Sequence, residues 1–214
     1  MRDRVFADRE EAGRVLSGLL PPLGMQAPVV LAVPRGGVLV AVPVAASLRA
    51  RLDVVVVRKL GAPGNPELGL GAVGADGQAV VDESLVLAMR VGQDFIRAEI
   101  DRQRREAQRR ESVYRGEARP PDLQGRDVVV VDDGIATGGT VEAAAVLLRG
   151  RRPARLVLAV PVAPRQSLDR LKRVYDDVVC AEVPSRFYAV GQWYDDFHQV
   201  TDEQVRAALR PAGQ

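Results

Sequence analysis

The chain has 214 residues, 30 Lys and Arg against 28 Asp and Glu, and a net charge of +2. That length suits one compact domain with a buried core, and so small a net charge does not call for nucleic acid as a partner. A single cysteine, Cys180, excludes an internal disulfide and a cysteine-based metal cluster. No apolar run is long enough to cross a bilayer and the N-terminus has no apolar leader core, so a cytoplasmic protein with no membrane partner is expected.

In chain order, Asp8 and Glu11 have capping-box spacing before a helical stretch with Val15, Leu16, Leu19 and Leu20 on one side, and Pro21-Pro22 ends it. Continuous apolar runs follow at Val29 to Val33, Asp53 to Val57, Val128 to Val131, Leu156 to Val160 and Val178 to Ala181. Runs this β-branched and without polar alternation read as strands covered on both faces, the habit of a parallel sheet. Helix-length segments lie between them at Gly37 to Arg49, Thr140 to Arg149 and Pro164 to Arg173. The alternation predicts an α/β, doubly wound, mainly parallel sheet in a single domain over 1–214. Its core runs from about 25 to 182, and a C-terminal segment from about 183 to 214 follows. Gly71 to Val81 brackets Ala-Asp-Gly-Gln and predicts a small antiparallel flap. Gln93 to Val113 mixes charges of both signs and reads as a solvated helix laced with i,i+4 pairs.

The chemistry is concentrated in VVVVDDGIATGGT, Val128 to Thr140. A buried strand delivers Asp132 and Asp133 at its carboxyl end, where open α/β sheets bind ligands. The turn Gly134-Ile135-Ala136-Thr137-Gly138-Gly139-Thr140 then opens a helix. Small residues, two hydroxyls and the free N–H groups of a helix start make an anion cradle. Carboxylates beside an anion cup need a polyol or a cation to face, and vicinal ribose hydroxyls with Mg²⁺ nearby supply both. A ribose phosphate fits this arrangement. A Walker loop or a dinucleotide turn does not match its residues.

Over all 13 positions this segment resembles the phosphoribosyl pyrophosphate (PRPP) signature of type I phosphoribosyltransferases. The resemblance implies that Asp132 and Asp133 hold the ribose hydroxyls, that Ile135 and Ala136 to Thr140 line the 5-phosphate site, and that Mg²⁺ is the cofactor. No direct protein ligand is implied for the metal, which PRPP mainly holds near Asp132 and Asp133. It also implies a flap, a hood that the C-terminal segment would form, and transfer of the phosphoribosyl group to a small-molecule acceptor such as a nucleobase with release of diphosphate. Hypoxanthine-guanine-type members carry an acid where this chain has Ala136, so a 6-oxopurine acceptor is not expected.

Two further segments fit the same reading. Arg35, Gly36 and Gly37 follow the first apolar run and form a second candidate anion site, the place of the family's pyrophosphate loop. Arg58-Lys59 leads into the Gly- and Pro-rich stretch Gly61 to Gly69, which reads as a mobile loop closing over the ligand. Lys59 and Arg35 would neutralise the departing diphosphate, while Asp132 and Asp133 orient the ring as positive charge develops on it. Five of nine aromatics fall late, at Phe187, Tyr188, Trp193, Tyr194 and Phe197, and either stack on a base or anchor the C-terminal segment. The other functional class is a regulatory PRPP- or nucleotide-sensing protein that binds nucleic acid through Gln93 to Val113. Nucleic acid is not the expected partner, and a homodimer is left open.

Overall fold

The computed structural model describes residues 5–116 and 118–210, so both extreme ends of the expected single domain lie outside the described residues. In chain order the elements begin with α1 (Arg9–Leu19), β1 (Val29–Ala32), α2 (Gly36–Leu48) and β2 (Arg51–Val54). Next come β3 (Val57–Ala62), β4 (Asn65–Gly74), β5 (Ala79–Val81), α3 (Glu83–Ala88) and α4 (Gln93–Arg115). The second half holds β6 (Asp127–Val131), α5 (Gly139–Arg149), β7 (Arg155–Val162), α6 (Arg165–Leu171), β8 (Asp177–Glu182) and α7 (Asp202–Leu209). No helix among the described residues is long and apolar enough to cross a membrane.

A five-stranded parallel sheet in the order β2-β1-β6-β7-β8 forms the centre, and an antiparallel sheet β3-β4-β5 stands beside it. The apolar runs lack polar alternation because both faces of the parallel sheet are covered. Val30, Ala32, Val129, Val131, Val157 and Ala159 pack with residues of α1 and α2 on one face. Val29, Leu31, Val128, Val130, Leu156 and Leu158 pack with residues of α5 and α6 on the other. Each such fully buried Val or Leu stabilises the fold by roughly 1.5–3 kcal/mol relative to exposure.

Three expectations are corrected. The run Asp53 to Val57 is two strands' worth of chain: β2 ends at Val54, Val55 N–H still donates to the Ala32 carbonyl (2.9 Å), and β3 leaves for the second sheet at Val57. Uninterrupted apolar residues carry no mark of a change in pairing partner. The stretch Gly61 to Gly69 is a bulged hairpin and not an open loop, because β3 and β4 pair antiparallel with register shifts around Gly61. The turn itself is at Pro63-Gly64, and Leu60 of β3 and Leu70 of β4 are fully buried. Finally, α4 is only half solvated. Its ion pairs include Arg110–Glu106 and Arg115–Glu111, but Ile96, Glu99, Gln103, Ala107 and Tyr114 form a buried stripe facing the rest of the fold. Two polar members of that stripe hide it from a hydropathy reading. Gln103 accepts from Arg58 Nε (3.0 Å) and donates to Glu99 (2.9 Å). At the helix end Arg115 pairs with Asp53 of the edge strand β2 (3.0 Å), with side chains only 10% and 4% exposed.

The segment before α1 meets the segment between β8 and α7. Phe6 N–H donates to the Trp193 carbonyl (2.9 Å), Asp195 N–H donates to the Phe6 carbonyl (2.8 Å), and Phe6, Trp193 and Tyr194 are buried together against Ala12 and Val162.

Candidate functional site

Neighbouring strands β1 and β6 send their following helices to opposite faces of the sheet, α2 to one and α5 to the other. The crevice outside their carboxyl ends is therefore the switch point at which doubly wound sheets bind ligands. The Pro34 to Gly37 turn and the Asp132 to Thr140 turn form its two lips.

The second turn is fixed from both flanks. Ile135 is buried, and its N–H donates to the Val162 carbonyl of β7 (2.9 Å). Gly138 precedes α5 with φ +75, a left-handed conformation that glycine adopts without steric cost. From α6, Ser167 Oγ donates to the Ala136 carbonyl (2.7 Å) and Arg170 donates to the Thr137 carbonyl. In a planar trans peptide the N–H points opposite to its carbonyl. Drawing these two carbonyls toward α6 thus turns the Thr137 and Gly138 N–H groups the other way, into the cup. Among the hydrogen bonds of the described residues, none uses the N–H of Ala136, Thr137, Gly138, Gly139 or Thr140 as donor. The result is a set of aligned donors at a helix start, suited to a phosphate. Neither Ser167 nor Arg170 stood out in the sequence, because each acts 31 or 33 residues away from its partner.

The other candidate residues gather at the same mouth. A Cβ placed on Gly36 would lie 1.8 Å from Asp133 Oδ2, and one on Gly37 would lie 2.7 Å from the Val131 carbonyl and 2.9 Å from Asp132 Cα. The two lips thus touch, and only glycines permit it. From the second sheet, Lys59 arrives over the start of α5: a Cβ on Gly139 would lie 3.2 Å from Lys59 Nζ. Arg35 is the exception. Its backbone caps α2 after a cis Pro34-Arg35 peptide, but its side chain reaches toward Asp202 of α7 (3.7 Å) rather than toward the aspartates.

The two acids differ in environment. Burial first, and the like charge of Asp133 second, push the Asp132 carboxyl well above the ordinary carboxylate range. Its Oδ1 accepts from the Asp133 N–H (2.9 Å). Asp133 is met by Arg9, which the sequence did not indicate, and by Tyr194: Arg9 Nε donates to Oδ2 (2.8 Å), and Tyr194 OH donates to the Asp133 carbonyl (2.6 Å). Burial pushes the Tyr194 hydroxyl up, so it remains a donor. Tyr194 is one of the late aromatics for which stacking on a base and anchoring of the C-terminal segment were equally open. Here it is buried and packs on Phe6 (centroids 5.6 Å) and Phe197 (5.0 Å), and Trp193 is buried beside Phe6, so both rings anchor the C-terminal segment. Tyr188 alone of the five is strongly exposed, at 84%. His198 lies on the surface against Asp196. Cys180, in β8, has its thiol pushed up to about 12 by burial. Among the described residues, no group of three or more His, Cys, Asp or Glu side chains is placed to hold a metal ion. A divalent cation near Asp132 and Asp133 would take its ligands mainly from the oxygens of a bound phosphate compound, as Mg²⁺ commonly does.

Comparison with known proteins gives a consistent result. A family model described as phosphoribosyl transferase domain matches residues 14–198. Two Mycobacterium tuberculosis proteins, from strains CDC 1551 and H37Rv and provisionally named phosphoribosyl transferases, are 46% identical over 207 residues. The match covers 96% of this chain and 46% of theirs, so the chain spans about half the length of these curated relatives. The crystal structure of TT1426 from Thermus thermophilus superposes with a TM-score of 0.89 at 48% identity, over 96% of this chain and 97% of that one. AQ2163 from Aquifex aeolicus shares the fold alone, with a TM-score of 0.52 at 14% identity over 86% of this chain and 76% of that one.

Proposed function

The chain belongs to the phosphoribosyl transferase family, and from that membership we propose that it transfers the phosphoribosyl group of PRPP to a nucleobase or similar small acceptor, releasing diphosphate. One observation carries the proposal: the Gly36-Gly37 turn, the Asp132-Asp133 pair, the donor-lined turn before α5 and Lys59 all meet at the β1–β6 switch point.

In this reading the N–H groups from Ala136 to Thr140 and the Thr137 and Thr140 hydroxyls hold the 5-phosphate, with Ile135 fixing the turn from below. Asp132 and Asp133 accept from the ribose hydroxyls and favour the positive charge that develops on the ring. The Gly36-Gly37 backbone and Lys59 hold the diphosphate. Arg35 joins them by swinging away from Asp202, a 3.7 Å contact between half-exposed side chains that costs little to break. Mg²⁺, when bound with PRPP, would neutralise charge on the diphosphate. The protein's contribution is then positioning and fixed electrostatics, with no covalent intermediate. Ala136 offers no proton acceptor, so acceptors other than 6-oxopurines are favoured.

The nucleic-acid reading loses support from α4. Several of its arginines are tied to carboxylates of the same helix, and one of its faces is buried. The test is to incubate the protein with PRPP, Mg²⁺ and each common base in turn and follow diphosphate release. Turnover with one base supports the transferase reading. PRPP binding without turnover on any base contradicts it and favours a sensor.

A further inference from the structure

Arg9 occupies a place that helix energetics does not explain. It is the first residue of α1, where the helix dipole disfavours a cation, and its side chain is only 9% exposed. Both costs are met by three contacts outside its own helix. Nε donates to Asp133 Oδ2 at 2.8 Å, Nη1 donates to the His198 carbonyl at 2.9 Å, and the guanidinium lies 3.9 Å from the Phe197 ring centroid. It also stands between the two lips of the site, since a Cβ on Gly36 would meet both Asp133 Oδ2 and Arg9 Nε, the latter at 3.0 Å.

We propose that Arg9 is a positioning residue of the phosphoribosyl site: its planar fork holds Asp133 in the orientation that receives the ribose diol and ties that carboxylate to the C-terminal segment 194–198. The proposal rests on the PRPP reading above. Two donors at fixed angles and a face for stacking are guanidinium properties, and an ammonium at the same place supplies the charge without the fork. Tyr194 OH, bonded to the Asp133 carbonyl, brings the same segment to the same residue from the backbone side.

Calorimetric titration of PRPP with Mg²⁺, and separately of diphosphate with Mg²⁺, into the parent, Arg9→Met and Arg9→Lys proteins tests this. The expected result is a loss of about tenfold or more in PRPP affinity for Arg9→Met, partial recovery in Arg9→Lys, and a change in diphosphate affinity of less than about twofold in both. Phe197→Leu, which keeps every charge, should weaken PRPP by about threefold through the lost stacking and guards against a misfolded Arg9 variant. Equal weakening of both ligands would reduce Arg9 to a contributor to the general field and overturn the proposal, as would unchanged PRPP affinity. A parent protein that binds diphosphate but not PRPP would instead overturn the function proposed above.

Discussion

Replacing Gly36 by Ala is a small change with a large expected effect. The added Cβ would sit 1.8 Å from Asp133 Oδ2 and 2.5 Å from its Cγ, so the carboxylate has to rotate away and the 2.8 Å bond from Arg9 breaks. Losing one charge-assisted hydrogen bond costs about 1.5–3 kcal/mol, and an off-rotamer aspartate adds about 0.5–1.5 kcal/mol. Alanine regains about 0.5–1 kcal/mol because glycine is a poor helix former. The net loss is about 1–4 kcal/mol, a fall of several degrees in Tm for a domain of this size. Gly18→Ala is the matched control, since it lies in α1 with nothing within 4 Å of the new Cβ, and should raise stability by about 0.5–1 kcal/mol. Thermal unfolding followed by circular dichroism reads both. If Gly36→Ala melts at or above the parent temperature, the close approach of the two lips is wrong and the site built on it falls.

Other perturbations probe different parts of the molecule. Asp53→Ala leaves the nearly buried Arg115 with Glu111 as its remaining carboxylate partner and should cost about 1.5–3 kcal/mol in urea denaturation, whereas a cost under about 1 kcal/mol would mean the pair is solvated. Asp132 carries a raised carboxyl, so its contribution to stability is present at low pH and is lost as pH rises through its folded value. Asp132→Asn should therefore raise Tm at pH 8 while abolishing PRPP binding, and a lower Tm at that pH would refute the burial argument. With its thiol pushed up to about 12, Cys180 should react with iodoacetamide at pH 8 roughly a thousandfold more slowly in the native than in the urea-unfolded protein. Comparable rates would show the thiol to be exposed.

Much of the fold was legible because burial on both sheet faces leaves its mark in runs such as Val128 to Val131 and Leu156 to Val160. The cup was legible too, since Asp132 to Thr140 holds acids, hydroxyls and glycines in one continuous segment. What stayed hidden depends on contacts distant in sequence. Arg9 lies 124 residues from Asp133, and as one of two arginines in α1 it gives no local signal. Ser167 and Arg170 act by orienting backbone carbonyls, which no side-chain pattern records. The Gly61 to Gly69 stretch misled because glycine and proline serve a bulged hairpin as well as a loop, and the pairing of β3 with β4 decides between them. The aromatics near the C-terminus had two equal readings, and the bridge between Phe6 and Tyr194, formed by the first and last parts of the chain, selects anchoring for Trp193 and Tyr194.

The central claim is that the turn from Asp132 to Thr140 binds the ribose and 5-phosphate of PRPP. Titrating PRPP with Mg²⁺ into the parent protein, Asp133→Asn and Thr137→Val tests it most directly. The expected result is saturable binding to the parent and its loss in both variants with their folding intact. Binding of PRPP to both variants as tightly as to the parent would contradict it.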